Sequence, residues 1–79
     1  MREKEFDSLT HELQAARLPM PPVARAVRQA AGATQSRVAE ALGVHRLTVS
    51  RWETGERRPR GEMRARYARL LAELQEAST

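Results

Sequence analysis

Residues 34–59 read TQSRVAEALGVHRLTVSRWETGERRP, and two glycines divide this stretch into two short helical patterns followed by an arginine-rich loop. Thr34 stands where a cap is needed, with a hydroxyl able to accept from a free amide of an opening helical turn. The helix it starts runs from Gln35 to Leu42, with Val38, Ala39 and Leu42 on one face. Gly43 breaks that helix, and after Val44 the pattern resumes from His45 to Trp52, where Val49 and Trp52 are apolar at a spacing of three. Thr54-Gly55 stops the chain again. Glu56-Arg57-Arg58-Pro59-Arg60-Gly61 carries no hydrophobic side chain and reads as a solvated loop.

Upstream, the run Pro19-Met20-Pro21-Pro22 cannot stay helical throughout, because each ring removes an amide donor and pushes the preceding residue toward extended geometry. A stiff linker over 19–22 follows, with Pro22 still able to enter the first turn of the next helix. That helix is expected to bury Val23, Ala26, Val27 and Ala30 and to end at Gly32. Before the linker, Phe6, Leu9, Leu13 and Ala16 fall at spacings of three and four, so residues 1–18 read as an N-terminal helical extension. Downstream, Met63, Tyr67, Leu70, Leu71 and Leu74 make the most strongly periodic stripe in the chain and predict a long C-terminal helix. A helical domain over 22–76 results, with Ala77-Ser78-Thr79 expected to fray. Neither β-type alternation nor an internal repeat interrupts this all-α reading.

Length and composition bound what such a chain does. Its 79 residues, 41% of them hydrophobic, suffice for one small domain and not for a multidomain enzyme. Cysteine is absent, so no disulfide framework or thiolate metal site forms, and His11 and His45 alone cannot close a structural zinc site; neither metal nor cofactor is expected. No apolar run approaches the roughly 18–20 residues of a membrane span, and the first twenty positions are too charged for a signal peptide, which points to the cytoplasm. A nucleophile–base pair of Ser50 with His45 would lack an orienting acid and an oxyanion site, so no catalytic residue is assigned.

The formal charge is +4, and thirteen of the fourteen basic side chains are arginine. Residues 21–61 carry net +5, whereas residues 1–20 carry −1 and residues 62–79 are neutral. The positive excess therefore coincides with the two-helix stretch and its loop. Arginine's planar fork suits phosphate and guanine edges better than a lysine point charge does.

Two short helices around a glycine turn, the second ending in a glycine followed by arginines, form the layout of a DNA-binding helix-turn-helix unit. The joint spacing of Gln35, Ala39, Gly43-Val44, Val49, Trp52-Glu53 and Gly55 resembles the phage repressor and Cro family, also called the Xre family, over roughly residues 22–75. The fold that the resemblance implies is an all-α, lambda-repressor-like helix-turn-helix bundle, here with the extra N-terminal helix and the long C-terminal one. It implies that Ala39 is small so the two helices approach, that Gly43 makes the turn, and that Val44, Val49 and much of Trp52 are buried. It also implies a buried structural ion pair between Arg28 and Glu53.

With Val49 and Trp52 turned inward, the opposite face of their helix presents Arg46, Leu47, Ser50 and Arg51, the four positions expected to face bases. In the family, positions equivalent to Arg46, Leu47 and Arg51 commonly read bases, and an arginine donates two bonds to guanine O6 and N7. Leu47 departs from the polar residue often found there; it either meets a thymine methyl or packs on the neighbouring helix. Gln35 opens the first of the two helices, where the resemblance implies a phosphate contact and support for a neighbouring base-reading side chain. Thr48 packs or touches phosphate, and His45 either caps its helix or donates to phosphate. Arg57, Arg58 and Arg60 stand where the family contacts phosphate; as a plain charge run they would only be solvated. Arg25 and Arg37 are at most backbone contacts at the edges. Arg64, Arg66 and Arg69, interleaved with acids, read as a solvated helix face.

The expected function is sequence-specific recognition of double-stranded DNA by a transcriptional regulator, more often a repressor, with the helix from His45 to Trp52 in the major groove. The partner is then an inverted-repeat operator bound by a homodimer, and residues 1–18 pack against the C-terminal helix or its dimer mate. With no room for a sensor domain, control falls to concentration, degradation or a partner protein. Two other uses of the same surface are open: an antitoxin-like module that also grips a protein partner, and an excision or architectural factor that bends DNA. A membrane role lacks a basic amphipathic helix with an aromatic rim.

Overall fold

Proline opens the first helix. The computed structural model describes residues 17–78, and in it Pro21 and Pro22 occupy the first turn of α1 (Pro21–Ala30), where amide donors lack helical partners in any case. The linker expected over 19–22 is therefore shortened to Pro19-Met20. Leu18 lies beside it and packs against the core. Residues 1–16, which carry most of the helical extension expected over 1–18, lie outside the described residues.

Three more helices follow: α2 (Gln35–Leu42), α3 (Arg46–Thr54) and α4 (Gly61–Ala77). Their ends are fixed by local chemistry. Thr34 Oγ1 accepts from the Arg37 amide at 3.1 Å, which caps α2. Gly43 closes α2 with φ +71° and Gly55 closes α3 with φ +80°, left-handed conformations that a side chain at either position would strain. Helices α1 and α2 each pack on both α3 and α4 around a single core.

That core consists of Ala24, Val38, Ala39, Leu42, Val49, Trp52, Tyr67 and Leu71, with Val27, Ala33, Val44, Met63, Leu70 and Leu74 packed against it. The C-terminal stripe read from the sequence thus lies against the bundle. Trp52 and Tyr67 meet with ring centroids 4.7 Å apart and planes tilted by 40°. In the loop read as wholly solvated, Pro59 is buried, its apolar ring turned in while its arginine neighbours stay exposed.

One expectation fails in an instructive way. Helix α1 does not bury Val23, Ala26, Val27 and Ala30; Val23 is 52% exposed, Ala26 and Ala30 face solvent, and Val27 is only half-buried. The inward face is instead Ala24, Val27 and Arg28. Arg28 Nη2 donates to Glu53 Oε1 at 2.9 Å, its Nε donates to Glu53 Oε2, and its Nη1 donates to the Ala33 carbonyl at 2.8 Å. Turning α1 to satisfy its apolar stripe would pull this guanidinium out of the core and leave the Glu53 carboxylate unpaired. The cost of an uncompensated buried charge exceeds that of exposing one valine and two alanines.

Burial alone pushes the Glu53 carboxyl up; hydrogen bonds from Arg28 and Gln35 and the charges of Arg28 and Arg25 outweigh it, and the net value lies below the ordinary carboxylate range. The same pair holds the Arg28 guanidinium more firmly protonated than usual, chiefly through its hydrogen bond to Glu53. Tyr67, buried beside them, has its hydroxyl pushed up to about 12 by burial first and the Glu53 charge second. Its oxygen has no hydrogen-bond partner among the described residues.

Three measurements follow from this core. Arg28→Met is expected to lower the unfolding free energy by about 3–5 kcal/mol in urea titrations, and adding Glu53→Met to restore most of that loss, because the apolar pair leaves no buried charge. A depressed carboxyl stabilises the fold fully above its unfolded value, so the Glu53 contribution is whole above pH 4.5 and disappears as the pH falls through the lower folded-state value. Melting scans should show that part of the acid loss missing from the double variant. Tyr67→Phe is expected to raise stability by about 1 kcal/mol, since a buried hydroxyl without a partner is removed and the ring stack is kept; a loss of stability would show that the hydroxyl has a partner.

Candidate nucleic-acid interface

The α2–α3 unit is joined by Gly43, Val44 and His45. The Val44 amide donates to the Ala39 carbonyl at 2.9 Å, and Ala39 is 3% exposed, so the chain turns tightly where only a methyl separates the helices. His45 caps α3: its Nδ1 accepts from the Leu47 amide at 3.1 Å. A neutral ring bonded in this way carries its proton on Nε2, which remains a donor toward solvent.

Helix α3 divides cleanly into two faces. Val49, Trp52 and Glu53 are buried. Arg46 and Leu47 are exposed and Ser50 and Arg51 are half-buried, at spacings that place all four on the side away from the core. Leu47 is 41% exposed, an apolar side chain facing outward among arginines. Thr48 is half-buried at the edge of that face.

Arg46 is hydrogen-bonded to a neighbouring helix, whereas Arg51 has only a longer charge contact with the loop. Arg46 Nη1 donates to Gln35 Oε1 at 3.1 Å, and Gln35 Nε2 donates to Glu53 Oε1 at 3.0 Å. Because Glu53 is charged and only accepts, it fixes which end of the Gln35 amide turns inward, and the carbonyl end is left for Arg46. Hydrogen bonds thus run without a break from Ala33 and Arg28 in the core, through Glu53 and Gln35, to the surface at Arg46. Arg51 lies at the other end of α3, its Nε 3.8 Å from Glu56 Oε2.

Arg57, Arg58 and Arg60 are exposed and border one open hollow with Trp52, Gly55 and Met63, directly after α3. The Arg57 amide donates to the Arg51 carbonyl at 3.2 Å, which folds the loop back against the helix. The exposed loop arginines therefore begin beside the C-terminal end of α3, with Glu56 between them and Arg51. Arg37 is turned to Glu40 at 3.0 Å on the exposed side of α2. Arg66 and Arg69 face solvent from α4.

The sequence reading did not single out Glu56. The available signal was an acid directly after the glycine that closes α3, since a left-handed glycine reverses the chain over the last helical turn and brings the next residue beside it.

A helix-turn-helix family model matches residues 25–74, which span α1 from its second turn through most of α4. No curated protein and no solved structure matches the chain. The match covers more than half of the sequence and contains the whole α2–turn–α3 unit with its basic outer face. The chain belongs to the Xre, or lambda-repressor-like, helix-turn-helix family of DNA-binding regulators.

Proposed function

We propose that this protein is a sequence-specific transcriptional regulator of double-stranded DNA, a repressor in its action, that reads the major groove with α3. The observation that carries this reading is the outer face of α3, with an arginine near each end, Arg46 hydrogen-bonded to Gln35 and Arg51 within 3.8 Å of Glu56, while the inner face is locked in the core. Arginines oriented before binding lose less freedom on reaching guanine than unrestrained ones. In this reading Arg46, Leu47, Ser50 and Arg51 face bases, with Leu47 against a thymine methyl. Gln35, Thr48, His45, Arg57, Arg58 and Arg60 contact phosphates and set the register of the helix on the duplex.

One such domain covers only about 600–1,000 Å² on DNA, so firm occupancy calls for two copies on inverted half-sites about one helical turn apart. The regulator is accordingly a homodimer, working in the cytoplasm on a promoter that it covers. Among the described residues no helix is long and apolar enough to cross a membrane. The antitoxin-like alternative, in which the same chain also grips a protein partner, is favoured by one observation: Met20, just before α1, is 68% exposed and Val23, in its first turn, 52%. Nothing comparable favours a DNA-bending factor.

Selection of bound sites from a random duplex library at two salt concentrations tests the reading, because phosphate attraction weakens steeply with salt and base recognition does not. Two inverted half-sites are the expected outcome; binding that disappears at the higher salt without any enriched motif would refute it. Arg51→Ala is expected to weaken the selected site by about 1–3 kcal/mol and to relax preference at one base pair. Arg58→Ala should weaken all duplexes alike and reduce the salt slope by about 1. Gel-shift titrations on the selected and a scrambled duplex measure both.

A further inference from the structure

From His45 to Arg60 the chain carries five arginines and two carboxylates. Glu53 is buried against Arg28 and Gln35, so Glu56 is the one acid of this stretch that faces solvent. A carboxylate there opposes the attraction between a basic surface and a polyanion. Its position is nevertheless built into the turn. Gly55 reverses the chain at φ +80°, and the Arg57 amide and the Thr54 hydroxyl both donate to the Arg51 carbonyl, each at 3.2 Å. The Glu56 amide donates to Thr54 Oγ1 at 3.4 Å. Folded in this way, the turn brings Glu56 Oε2 to 3.8 Å from Arg51 Nε.

A guanidinium has five N–H donors in a rigid fork. A carboxylate near its Nε attracts the guanidinium from that side and leaves the terminal amino groups free, the pair that spans guanine O6 and N7. Arg46 differs: its Nη1, a terminal amino group, donates to the neutral Gln35 carbonyl. Glu56 differs in charge. With 43% of the Arg51 side chain and 65% of the Glu56 side chain exposed, the pair adds little to folding.

The geometry points to Glu56 as a specificity-determining positioning residue for Arg51, an inference that rests on the reading in which Arg51 contacts bases. Glu56 orients the guanidinium toward a base edge, and as an anion facing DNA it lowers affinity for any duplex that returns no base contact. Total affinity is reduced so that the ratio between correct and incorrect sites rises.

The test uses the full chain and its Glu56→Gln, Arg51→Ala and doubly substituted forms. Each is taken through the same random-duplex selection and then titrated on the duplex selected by the unsubstituted protein and on a scrambled one. Unchanged melting in Glu56→Gln is the folding control, as expected for an exposed side chain. Glu56→Gln should bind the scrambled duplex more tightly, while the ratio of selected to scrambled affinity falls by about two- to five-fold, the range an exposed ion pair can supply. The motif should lose preference at the same base pair that Arg51→Ala alters. In the Arg51→Ala background, Glu56→Gln should leave the ratio unchanged. Equal tightening on both duplexes in the otherwise native chain would overturn the inference, since a plain charge effect does that. If Arg51→Ala changes the motif and Glu56→Gln does not, the role of Glu56 alone fails. If Arg51→Ala leaves the motif unchanged, or the unsubstituted protein enriches none, the underlying docking of α3 fails and the inference with it.

Discussion

Arg28 and Glu53 meet inside a domain too small to hide an unpaired charge, and much of the remaining arrangement follows from their meeting. The guanidinium satisfies both carboxylate oxygens and the Ala33 carbonyl, so it ties α1 to the last turn of α3 and to the turn that leads into α2. Desolvating two charges is costly, and the gain from pairing them is secured only by such close geometry. An apolar pair of similar volume could give the same stability. It could not give the direction, because a carboxylate at position 53 also orients the amide of Gln35.

That direction connects the core to the surface. Many small domains present arginines to solvent on side chains that sample numerous rotamers, and ordering them on binding costs free energy. Here Arg46 is hydrogen-bonded through Gln35 to Glu53, and Arg51 has the Glu56 carboxylate 3.8 Å from its Nε, placed there by a turn whose hydrogen bonds converge on the Arg51 backbone carbonyl. One restraint is anchored in the core and the other in a surface turn. The two ends of α3 are thus prepared by different means, although both present the same fork of donors.

Helix α1 shows how the charge pair dominates weaker preferences. Its apolar residues Val23, Ala26, Val27 and Ala30 form a stripe that in isolation belongs inside, yet the helix is rotated so that Ala24 and Arg28 face in. Ala24 and Ala68, both almost fully buried, let α1 and α4 approach, while Tyr67 and Trp52 fill the space beside the ion pair. A small core offers few ways to pack a large aromatic pair next to two charges, and this constraint adds to the hydrogen bonds in selecting the orientation.

What could be read from the chain and what could not divide along the range of the forces. Helix limits at Thr34, Gly43, His45 and Gly55, the inward side of α3 and the stripe on α4 are legible because capping, left-handed glycine and apolar periodicity act over a few residues. The partnership of Arg28 with Glu53 came only through resemblance to a family, since residues so far apart leave no local trace of their contact. The rotation of α1, the burial of Pro59, the hydrogen bond from Gln35 to Glu53 and the placement of Glu56 beside Arg51 were decided by the tertiary structure alone. Each depends on groups that neighbour one another only after folding, where a buried charge must find its partner and the chain, already turned by its glycines, has few positions left to offer.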